Sequence, residues 1–556
     1  MKKTTTIILS AFLLCSTLVK AQENPGIEPY SFSHEVAGTV PTLTMPYRDF
    51  AKDIKAAEEF EKNGNYPRIA FHFDVNKTML NSGVWTDLTN GDRIWRLNLK
   101  SDGAIGTALF FNDFFIPQGA MMHVYSPDHK FKSGSFTFLD NQGDGLFSTE
   151  FMTGSECTIE YFEPAIVRGQ GKMQITSFAH QYRSMALAQD CEVNIICSPE
   201  GNNWQAVKKG VVRVYVVEAA GAGYCSGSLI NNTNLDCTRY ILTAFHCGVS
   251  STTANFTQFK FYFNFEASTC GGGDGGILTN FLTGCTKTAS SNDNGGDTGS
   301  DFLLLHMTAT SSPSWWSGVY YNGWNRSGTA PASGSICIHH PNGDNKKISA
   351  TTGTGSSVSW GGQVAATHWS VHWGGTTNGW GVTEGGSSGS PLFNSSKQII
   401  GTLTGGGSYC NSVQAGGQNQ PDAYGKLSHQ WISNGTTSVT QLKPWLDPAN
   451  TGVTSLPGTF APCTQTGIAD FANENDVILY PNPTNGSFTV SVTLTKFSDI
   501  KFRVMNVMGQ EVSNRMVVNS IGGNFEMDLS GQAEGIYFVE IKANGNSTVK
   551  KVTVVH

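Results

Sequence analysis

Glycine recurs throughout this chain, and its distribution constrains the fold more than any other feature of the sequence. The 556 residues include 63 glycines, and runs rich in Gly, Ser, Thr and Asn dominate the middle of the chain. Between these runs lie short alternating segments, such as residues 211–217 and 259–265. Because such residues favour tight turns and strand edges over helices, the sequence predicts a mainly β fold with many turns.

The chain is long enough for several units, and its composition changes along its length. Lys2 and Lys3 are followed by an apolar run at residues 7–19 and by the small residue Ala21, which is the pattern of a secretory signal peptide. Segments starting at Ile94 and Gly106 predict strands in the region that follows. The composition therefore predicts a signal peptide at 1–21, a first domain at 22–185, a cysteine-rich domain at 186–460, a linker at 461–475 and a terminal module at 476–556.

Charge and hydropathy disfavour two classes of partner. The net charge is −7 and no basic stripe is present, so a nucleic-acid partner is not expected. The apolar run of the signal peptide is too short to cross a bilayer, and no later segment reaches about 18 apolar residues. We therefore expect an exported protein with no membrane span.

Export gives the cysteines a specific meaning. Nine of the twelve lie in residues 186–460, and in an oxidising compartment they predict disulfides. No C-x-x-C pair is present, and the spaced pair His368 and His372 lacks the glutamate of an H-E-x-x-H motif. We therefore expect no metal site and no cofactor. The adjacent His339 and His340 are expected to serve in packing and turn hydrogen bonds.

A candidate general base lies at the end of an apolar segment. The segment Tyr240-Ile-Leu-Thr-Ala-Phe-His-Cys-Gly runs as a predicted strand into His246 and Cys247. A buried strand end fixes an imidazole, and an adjacent cysteine can tether the turn. The pattern favours a catalytic role for His246 over a structural one.

A candidate nucleophile lies in a glycine-rich turn, Gly385-Gly-Ser-Ser-Gly-Ser-Pro-Leu-Phe. Glycines around a serine let the backbone turn tightly and aim amides at one point, so Ser388 would attack and the Gly386 and Ser388 amides would form the oxyanion hole. A second interpretation reads Ser387 as the serine of a G-x-S-x-G nucleophile elbow. That elbow needs a following helix and a downstream histidine, whereas Pro391 and a strand-like segment follow here.

The third member of such a triad must be a buried carboxylate. If the chain order is His, Asp, Ser, the candidates are Asp274, Asp293, Asp297, Asp301 and Asp344. Only Asp301 runs directly into an apolar strand, Asp301-Phe-Leu-Leu-Leu, which would bury it beside an imidazole. The others lie in Gly- and Asn-rich loops and are expected to be solvated turn residues.

These motifs resemble those of the trypsin-like superfamily and, more closely, of the bacterial lysyl endopeptidases, over residues 186–455. The matching segments are Asn231-Asn-Thr, Ser300-Asp-Phe-Leu-Leu-Leu, Ile338-His-His-Pro-Asn, Val382-Thr-Glu-Gly-Gly-Ser-Ser-Gly-Ser-Pro and Trp445-Leu-Asp-Pro-Ala-Asn-Thr-Gly. The resemblance implies a secreted serine endopeptidase with a double β-barrel and a triad at the barrel junction. It also implies three disulfides, namely Cys191–Cys410, Cys197–Cys270 and Cys225–Cys247.

The resemblance also implies a specificity pocket. Asp422 matches the family's aspartate at the pocket floor, where a buried carboxylate recognises a cationic side chain, so cleavage after lysine is expected. Trp360 matches a tryptophan beside the family's active site. The family has a histidine sixteen residues after the serine, and this chain has Thr404 there. That departure leaves arginine or mixed basic specificity as an alternative, and a non-catalytic adhesin remains another.

Two further implications concern the regions that flank this domain. The residue before the proposed nucleophile is Ser387 and not an aspartate, so no carboxylate there can pair with a new N-terminal amine, and activation by such an ion pair is not expected. Residues 22–185 are instead expected to be a propeptide that assists folding of the protease domain and inhibits it. The C-terminal module opens with Tyr480-Pro-Asn-Pro, contains Val507-Met-Gly-Gln and ends in Lys550-Lys-Val-Thr-Val-Val. It resembles the small β-sandwich sorting domain of the Bacteroidota type IX secretion system, with a carbohydrate or adhesion module as the alternative. Substrate proteins and that secretion machinery are the expected partners.

Overall fold

The computed structural model describes residues 28–62, 65–184, 188, 190–272, 280–410, 417–461, 477–543 and 546–555. The chain divides into two compact units, Met1–Ala461 and Pro462–His556. The predicted signal peptide, Asp274 and nearly all of the predicted linker, which includes Cys463, lie outside the described residues. None of the helices in the described ranges is long and apolar enough to cross a membrane.

Helices are short, as the glycine-rich composition predicts. In the described residues the α-helices are α1 (Tyr30–Ser33), α2 (Phe50–Lys62), α3 (Thr253–Phe256), α4 (Leu427–Ile432) and α5 (Lys443–Leu446). Turns of 3-10 helix occur at Phe138–Asp140, Ala165–Val167, Asn202–Trp204, Val207–Gly210, Phe245–Cys247, Ser314–Gly318, Pro341–Gly343 and Ser438–Thr440. The remaining regular structure is β, so the mainly β prediction is confirmed.

The first part of the larger unit is a β domain. Its strands are β1 (Thr42–Thr44), β2 (Arg68–Thr78), β3 (Val84–Asp87), β4 (Arg93–Lys100), β5 (Gly106–Phe115), β6 (Met121–Tyr125), β7 (Lys132–Phe136), β8 (Phe147–Ser148), β9 (Met152–Thr153), β10 (Glu156–Glu163) and β11 (Lys172–Gln181). One sheet has the order β1-β4-β10-β6-β7, and β2, β11 and β5 are neighbours in the other. The side chains of Trp95, Tyr161 and Phe178 share its core. The strands predicted at Ile94 and Gly106 are present as β4 and β5.

A first barrel follows. Its region contains β12 (Val193–Asn194), β13 (Val211–Glu218), β14 (Gly221–Ile230), β15 (Tyr240–Ala244), β16 (Lys260–Tyr262), β17 (Phe281–Thr283), β18 (Cys285–Ser290) and β19 (Phe302–Met307). The pairing order is β17-β16-β13-β14-β15-β19-β18. Only Gly284 separates β17 from β18, and its φ of +94° lets one bent strand pair at both ends and close the ring.

A second barrel completes the larger unit. Its region contains β20 (Tyr320–Tyr321), β21 (Gly323–Asn325), β22 (Ile336–His339), β23 (Lys347–Val358), β24 (His368–Trp373), β25 (Pro391–Phe393), β26 (Gln398–Gly406), β27 (Asp422–Lys426), β28 (Ser455–Leu456) and β29 (Thr459–Phe460). The antiparallel ring runs β22-β23-β24-β27-β26-β25 and returns to β22. Leu242 and Phe302 of the first barrel share one core with Ile338 and Phe393 of the second. The double barrel is therefore confirmed.

The β domain joins the first barrel through a strand. Strand β2 pairs antiparallel with β14, and the partners are Ala70 with Ala222 and Arg68 with Gly223. Strand β14 pairs with β13 on its other edge, so β2 extends the barrel sheet. The Arg68 guanidinium also forms a 2.8 Å ion pair with Glu218 of β13. Residues 65–70 thus belong structurally to both parts of the unit.

Among the described residues, three disulfides cross-link the cysteine-rich region, and they are the three that the resemblance implies. They join Cys191 to Cys410, Cys197 to Cys270, and Cys225 to Cys247. The first ties the start of the region to the chain that follows β26, across 219 residues of sequence. The third ties β14 to the turn that carries His246.

The C-terminal unit is a β domain of its own. Its strands are β30 (Val477–Tyr480), β31 (Ser487–Asn506), β32 (Glu511–Asp528), β33 (Gly535–Ala543) and β34 (Asn546–Val554). The first half of β31 pairs with β30 and its second half with β33, while β32 pairs along both halves. Val490 from one half and Phe502 from the other share one core with Val539. The sheet therefore folds over itself, as a small sandwich does.

Candidate active site

Two neighbouring strands bring His246 and Asp301 together. Strand β15 pairs antiparallel with β19, and Ala244 lies opposite Phe302. His246 follows β15 by two residues in a 3-10 turn, and Asp301 precedes β19 by one residue. Because antiparallel neighbours place the end of one strand beside the start of the other, both side chains emerge at the same barrel end.

The contact between these two residues has the geometry of a base and its orienting acid. Nδ1 of His246 lies 2.7 Å from Oδ2 of Asp301, and the His246 backbone N–H donates to Oδ1 at 3.0 Å. Asp301 is fully buried and His246 is 9% exposed. Burial of the ring opposes protonation, but the charge and hydrogen bond of Asp301 outweigh it and raise the pKa of His246.

The turn that carries Ser388 belongs to the second barrel. It packs against β14 and the end of β15 in the first barrel, beside the turn that carries His246. The Ser226 N–H donates to the Ser388 carbonyl at 2.8 Å, and Sγ of Cys247 lies 3.8 Å from that carbonyl. A Cβ at Gly389, where φ is +79°, would overlap Thr243 Oγ1 and lie 2.6 Å from the Ala244 nitrogen. Only glycine therefore allows the turn to approach the end of β15 this closely.

No hydrogen bond joins Ser388 to His246 in the described residues. Nε2 of His246 is buried and has no hydrogen-bond partner there, and Ser388 is 5% exposed. Catalytic hydrogen bonds of unliganded enzymes are often long and tighten only when substrate binds. With Nδ1 held by Asp301, Nε2 is the nitrogen that can accept a proton.

Two amides in the Ser388 turn are free of internal acceptors. Among the described residues, the N–H groups of Gly386 and Ser388 donate to none, whereas those of Ser387, Gly389 and Ser390 donate to backbone carbonyls. The Gly386 carbonyl is fixed by the first barrel, since it accepts a hydrogen bond from the Ser226 hydroxyl at 2.9 Å. The two free amides are those that the sequence assigned to the oxyanion hole.

Ser387 is turned into the protein. Its Oγ lies 2.8 Å from Nδ1 of His339 and accepts the Glu384 N–H at 3.1 Å. His339 is fully buried, and burial lowers its pKa to about 3, so the ring is neutral. This hydroxyl therefore braces the turn, which disfavours the elbow interpretation.

Asp422 lies in a polar cage inside the second barrel. It is 1% exposed, and its Oδ2 accepts Trp373 Nε1–H at 2.6 Å, the Thr383 hydroxyl at 2.7 Å and the Ser408 hydroxyl at 2.6 Å. Its Oδ1 accepts the Ser408 N–H at 3.1 Å. Burial is the main cause that raises the pKa of this carboxyl. All four donors are neutral, so the carboxylate keeps an uncompensated charge when ionised.

Trp360 and Thr404 lie beside Asp301, and next to them lies His368, a residue that sequence reasoning considered only as a metal ligand. An ideal Cβ on Gly296 would lie 3.0 Å from Trp360, 3.2 Å from Asp301 and 3.4 Å from Thr404, so these side chains surround one glycine. Oγ1 of Thr404 lies 2.9 Å from Nε2 of the buried His368, whose ring centroid is 6.0 Å from that of Trp360. An imidazole from β24 thus reaches the position at which the family histidine is absent.

The expectation for the remaining carboxylates needs correction. Asp293 and Asp344 were expected to be solvated, but they are 3% and 9% exposed. Asp293 accepts hydrogen bonds within its loop, and Asp344 accepts the Ala188 N–H at 3.0 Å. Composition identified these segments as loops but could not show that the loops fold inward.

Comparison with known proteins gives matches to both units. The family model for the lysyl endopeptidase C-terminal domain matches residues 185–425, and that for the secretion system C-terminal sorting domain matches residues 478–555. A lysyl endopeptidase of Pseudomonas aeruginosa is 33% identical over 360 residues, which cover 59% of this chain and 72% of that protein.

Solved structures with a likeness to this chain are more distant. The thermostable serine protease AL20 from an extremophilic microorganism is 14% identical with a TM-score of 0.28, over 40% of this chain and 92% of its own. Protease Anisep from Arthrobacter nicotinovorans is 17% identical with a TM-score of 0.28, over 39% of this chain and 90% of its own.

Proposed function

Since this chain belongs to the lysyl endopeptidase family, and is thus a serine endopeptidase, we propose that it cleaves peptide bonds after lysine with His246, Asp301 and Ser388 as its triad. Its sorting domain implies export across the outer membrane to the cell surface or the medium. The observation that carries the proposal is the buried 2.7 Å contact between His246 and Asp301, next to the seated Ser388 turn.

The proposed mechanism follows from the protonation states of this contact. Asp301 accepts the Nδ1–H of His246, so Nε2 is the unprotonated nitrogen and takes the Ser388 proton as the hydroxyl attacks. The carbonyl oxygen of the substrate becomes negative and is stabilised by the amides of Gly386 and Ser388. His246 then protonates the leaving amine, and water releases the acyl group by the same route.

The proposed preference for lysine rests on Asp422. A buried carboxylate whose four partners are neutral is stabilised by a cation, and the ammonium of a lysine side chain supplies one. A neutral side chain in the same pocket would leave that charge uncompensated. The second candidate is a protease that also cleaves after arginine. It is favoured by Thr404, which stands where the family has a histidine.

Sequencing of cleavage products tests the specificity directly. A library of peptides with every residue represented at each position is digested with the processed protein, and the new C-termini are expected to be lysine. Equal cleavage after arginine would replace the first candidate by the second. Cleavage mainly after neutral or acidic residues would contradict both assignments of the Asp422 pocket.

We also propose that residues 22–185 keep the precursor latent. Pro67 Cδ lies 3.3 Å from the position of an ideal Cβ on Gly385, one residue before the oxyanion glycine. Tyr66 is fully buried, and the chain continues from it into the β2–β14 pairing. A covalently linked segment has a high effective concentration at its site, so it competes well with substrate.

The sequence of the junction predicts that release needs a second protease. No lysine lies between Lys172 and Lys208, and Arg183 is the only arginine in that interval. We expect the purified wild-type precursor to stay uncut in this interval and to be roughly 100-fold less active than after digestion with an arginine-specific protease. N-terminal sequencing and hydrolysis of a lysyl chromogenic substrate measure the two effects.

An Arg183→Lys precursor is the matched variant, because it places a lysine at the junction and is expected to process itself. The need for a second protease would be refuted if the wild-type precursor cut itself between Lys172 and Lys208 while the Ser388→Ala precursor did not.

A further inference from the structure

A second buried carboxylate lies directly behind Asp301. Asp293 is 3% exposed and occupies the loop before β19. Its Oδ2 accepts the Asp301 N–H at 2.8 Å, and its Oδ1 accepts the Ser291 hydroxyl at 2.7 Å and the Gly296 N–H at 3.1 Å. All three donors belong to the short stretch of chain that leads into the proposed catalytic acid.

The backbone of Asp301 has an unusual conformation that this contact helps to hold. Its φ is +52°, in the left-handed region that non-glycine residues rarely adopt. The Asp301 N–H is held by Asp293, and its carbonyl accepts the Phe245 N–H at 3.1 Å. With the backbone fixed on both sides, the side chain projects toward His246.

The loop is closed by further contacts, so Asp293 is held in place itself. The Phe302 N–H donates to the Ser291 hydroxyl at 3.0 Å, and that hydroxyl donates to Asp293. Oδ1 of Asn434 accepts the N–H and the hydroxyl of Ser300 at 3.2 and 2.9 Å. Burying two neighbouring carboxylates is unfavourable unless each is well hydrogen-bonded, and here both are.

We propose that Asp293 is a positioning residue of the triad, whose carboxylate fixes Asp301 in the left-handed conformation that aims its side chain at His246. The proposal rests on the proposed catalytic role of these two residues. Asp293 touches no reacting atom and acts through Asp301.

Its charge has a second consequence. The acidic groups that raise the pKa of His246 are Asp301, Glu218 and Asp293, in that order. Burial and the charge of Asp301 raise the pKa of Asp293 itself, but its ionised form favours a protonated His246. Removing that charge is therefore expected to lower the pKa of His246. Because the free enzyme needs a neutral His246, the acidic limb of the kcat/KM profile then moves to lower pH.

Two substitutions at this position separate geometry from charge. In the processed enzyme, Asp293→Ala is expected to lower kcat about 10- to 100-fold, since small misplacements of catalytic groups cost that much, with KM changed less than about twofold. Asp293→Asn keeps an oxygen that can accept the Asp301 N–H, so it is expected to recover part of kcat. Both variants are expected to shift the acidic limb downward, because both lack the charge.

Rates are divided by the fraction of enzyme that reacts with a fluorophosphonate probe, which removes any effect of misfolding. Asp297→Asn is the matched control, because Asp297 lies in the same loop and is only partly buried, with a 3.1 Å contact from Asn294. It is expected to retain the wild-type rate and pH profile.

Two results would each overturn the proposal: a wild-type kcat in folded Asp293→Ala, or an unshifted acidic limb in Asp293→Asn. The second can be measured whether or not the alanine variant folds. A loss confined to KM would also overturn it. Failure of the wild-type enzyme to react with the probe at Ser388 would instead overturn the proposed triad, so the two failures are distinguishable.

Discussion

Ser388→Ala is expected to lower kcat of the processed enzyme by roughly 10⁴- to 10⁶-fold, the range seen when a serine protease loses its nucleophile. The substitution removes only the attacking oxygen. The Ser388 carbonyl would still accept the Ser226 N–H, so the turn is expected to keep its place. Hydrolysis of a lysyl substrate measures the rate, and loss of fluorophosphonate labelling shows that the nucleophile is gone.

Ser387→Ala is the matched control, and it also decides between the two interpretations of the serine motif. Ser387 is fully buried and bonded to His339, so its alanine variant is expected to keep fluorophosphonate labelling and to lose far less activity. If labelling persisted in Ser388→Ala and vanished in Ser387→Ala, the triad proposed for this chain would be wrong.

The parts of the site that could be predicted are those that a short stretch of sequence indicates by itself. An apolar strand ending at His246 and a carboxylate at the start of another strand each have a short pattern, and antiparallel pairing of β15 with β19 joins them. Strands such as β13 could be predicted in the same way, because a window of eight residues rich in Val favours a strand. Glycine content predicted the many turns and the scarcity of helix.

The contacts that could not be predicted join residues whose local patterns carry no signal. Asp293 lies in a segment rich in Gly, Asn and Ser, which reads as a solvated loop, and its burial arises only when that loop closes behind Asp301. His368 of β24 contacts Thr404 of β26 because both strands flank β27. The order of strands around the barrel cannot be inferred from the residues near either position. The approach of Pro67 to Gly385 joins residues more than 300 positions apart.

Asp422→Asn is expected to have the second large effect, and it acts on specificity. Removing one partner of a buried ion pair costs about 3–5 kcal/mol, which corresponds to roughly 200- to 5,000-fold in kcat/KM for a lysyl substrate. The loss is expected to be much smaller for the same peptide with methionine in place of lysine, because a neutral side chain gains nothing from the carboxylate. The ratio of the two kcat/KM values is therefore the quantity to measure.

Fluorophosphonate labelling of Ser388 is expected to survive in Asp422→Asn, since the probe needs the triad and not the pocket. Asp236→Asn is the matched control, because Asp236 is exposed and bonds only to nearby turn residues such as Thr238. An Asp422→Asn enzyme that still preferred lysine over methionine by the wild-type ratio would show that the charge recognised by substrate lies elsewhere. Asp422 would then act through its bonds to Trp373, Thr383 and Ser408, as a brace of the barrel interior.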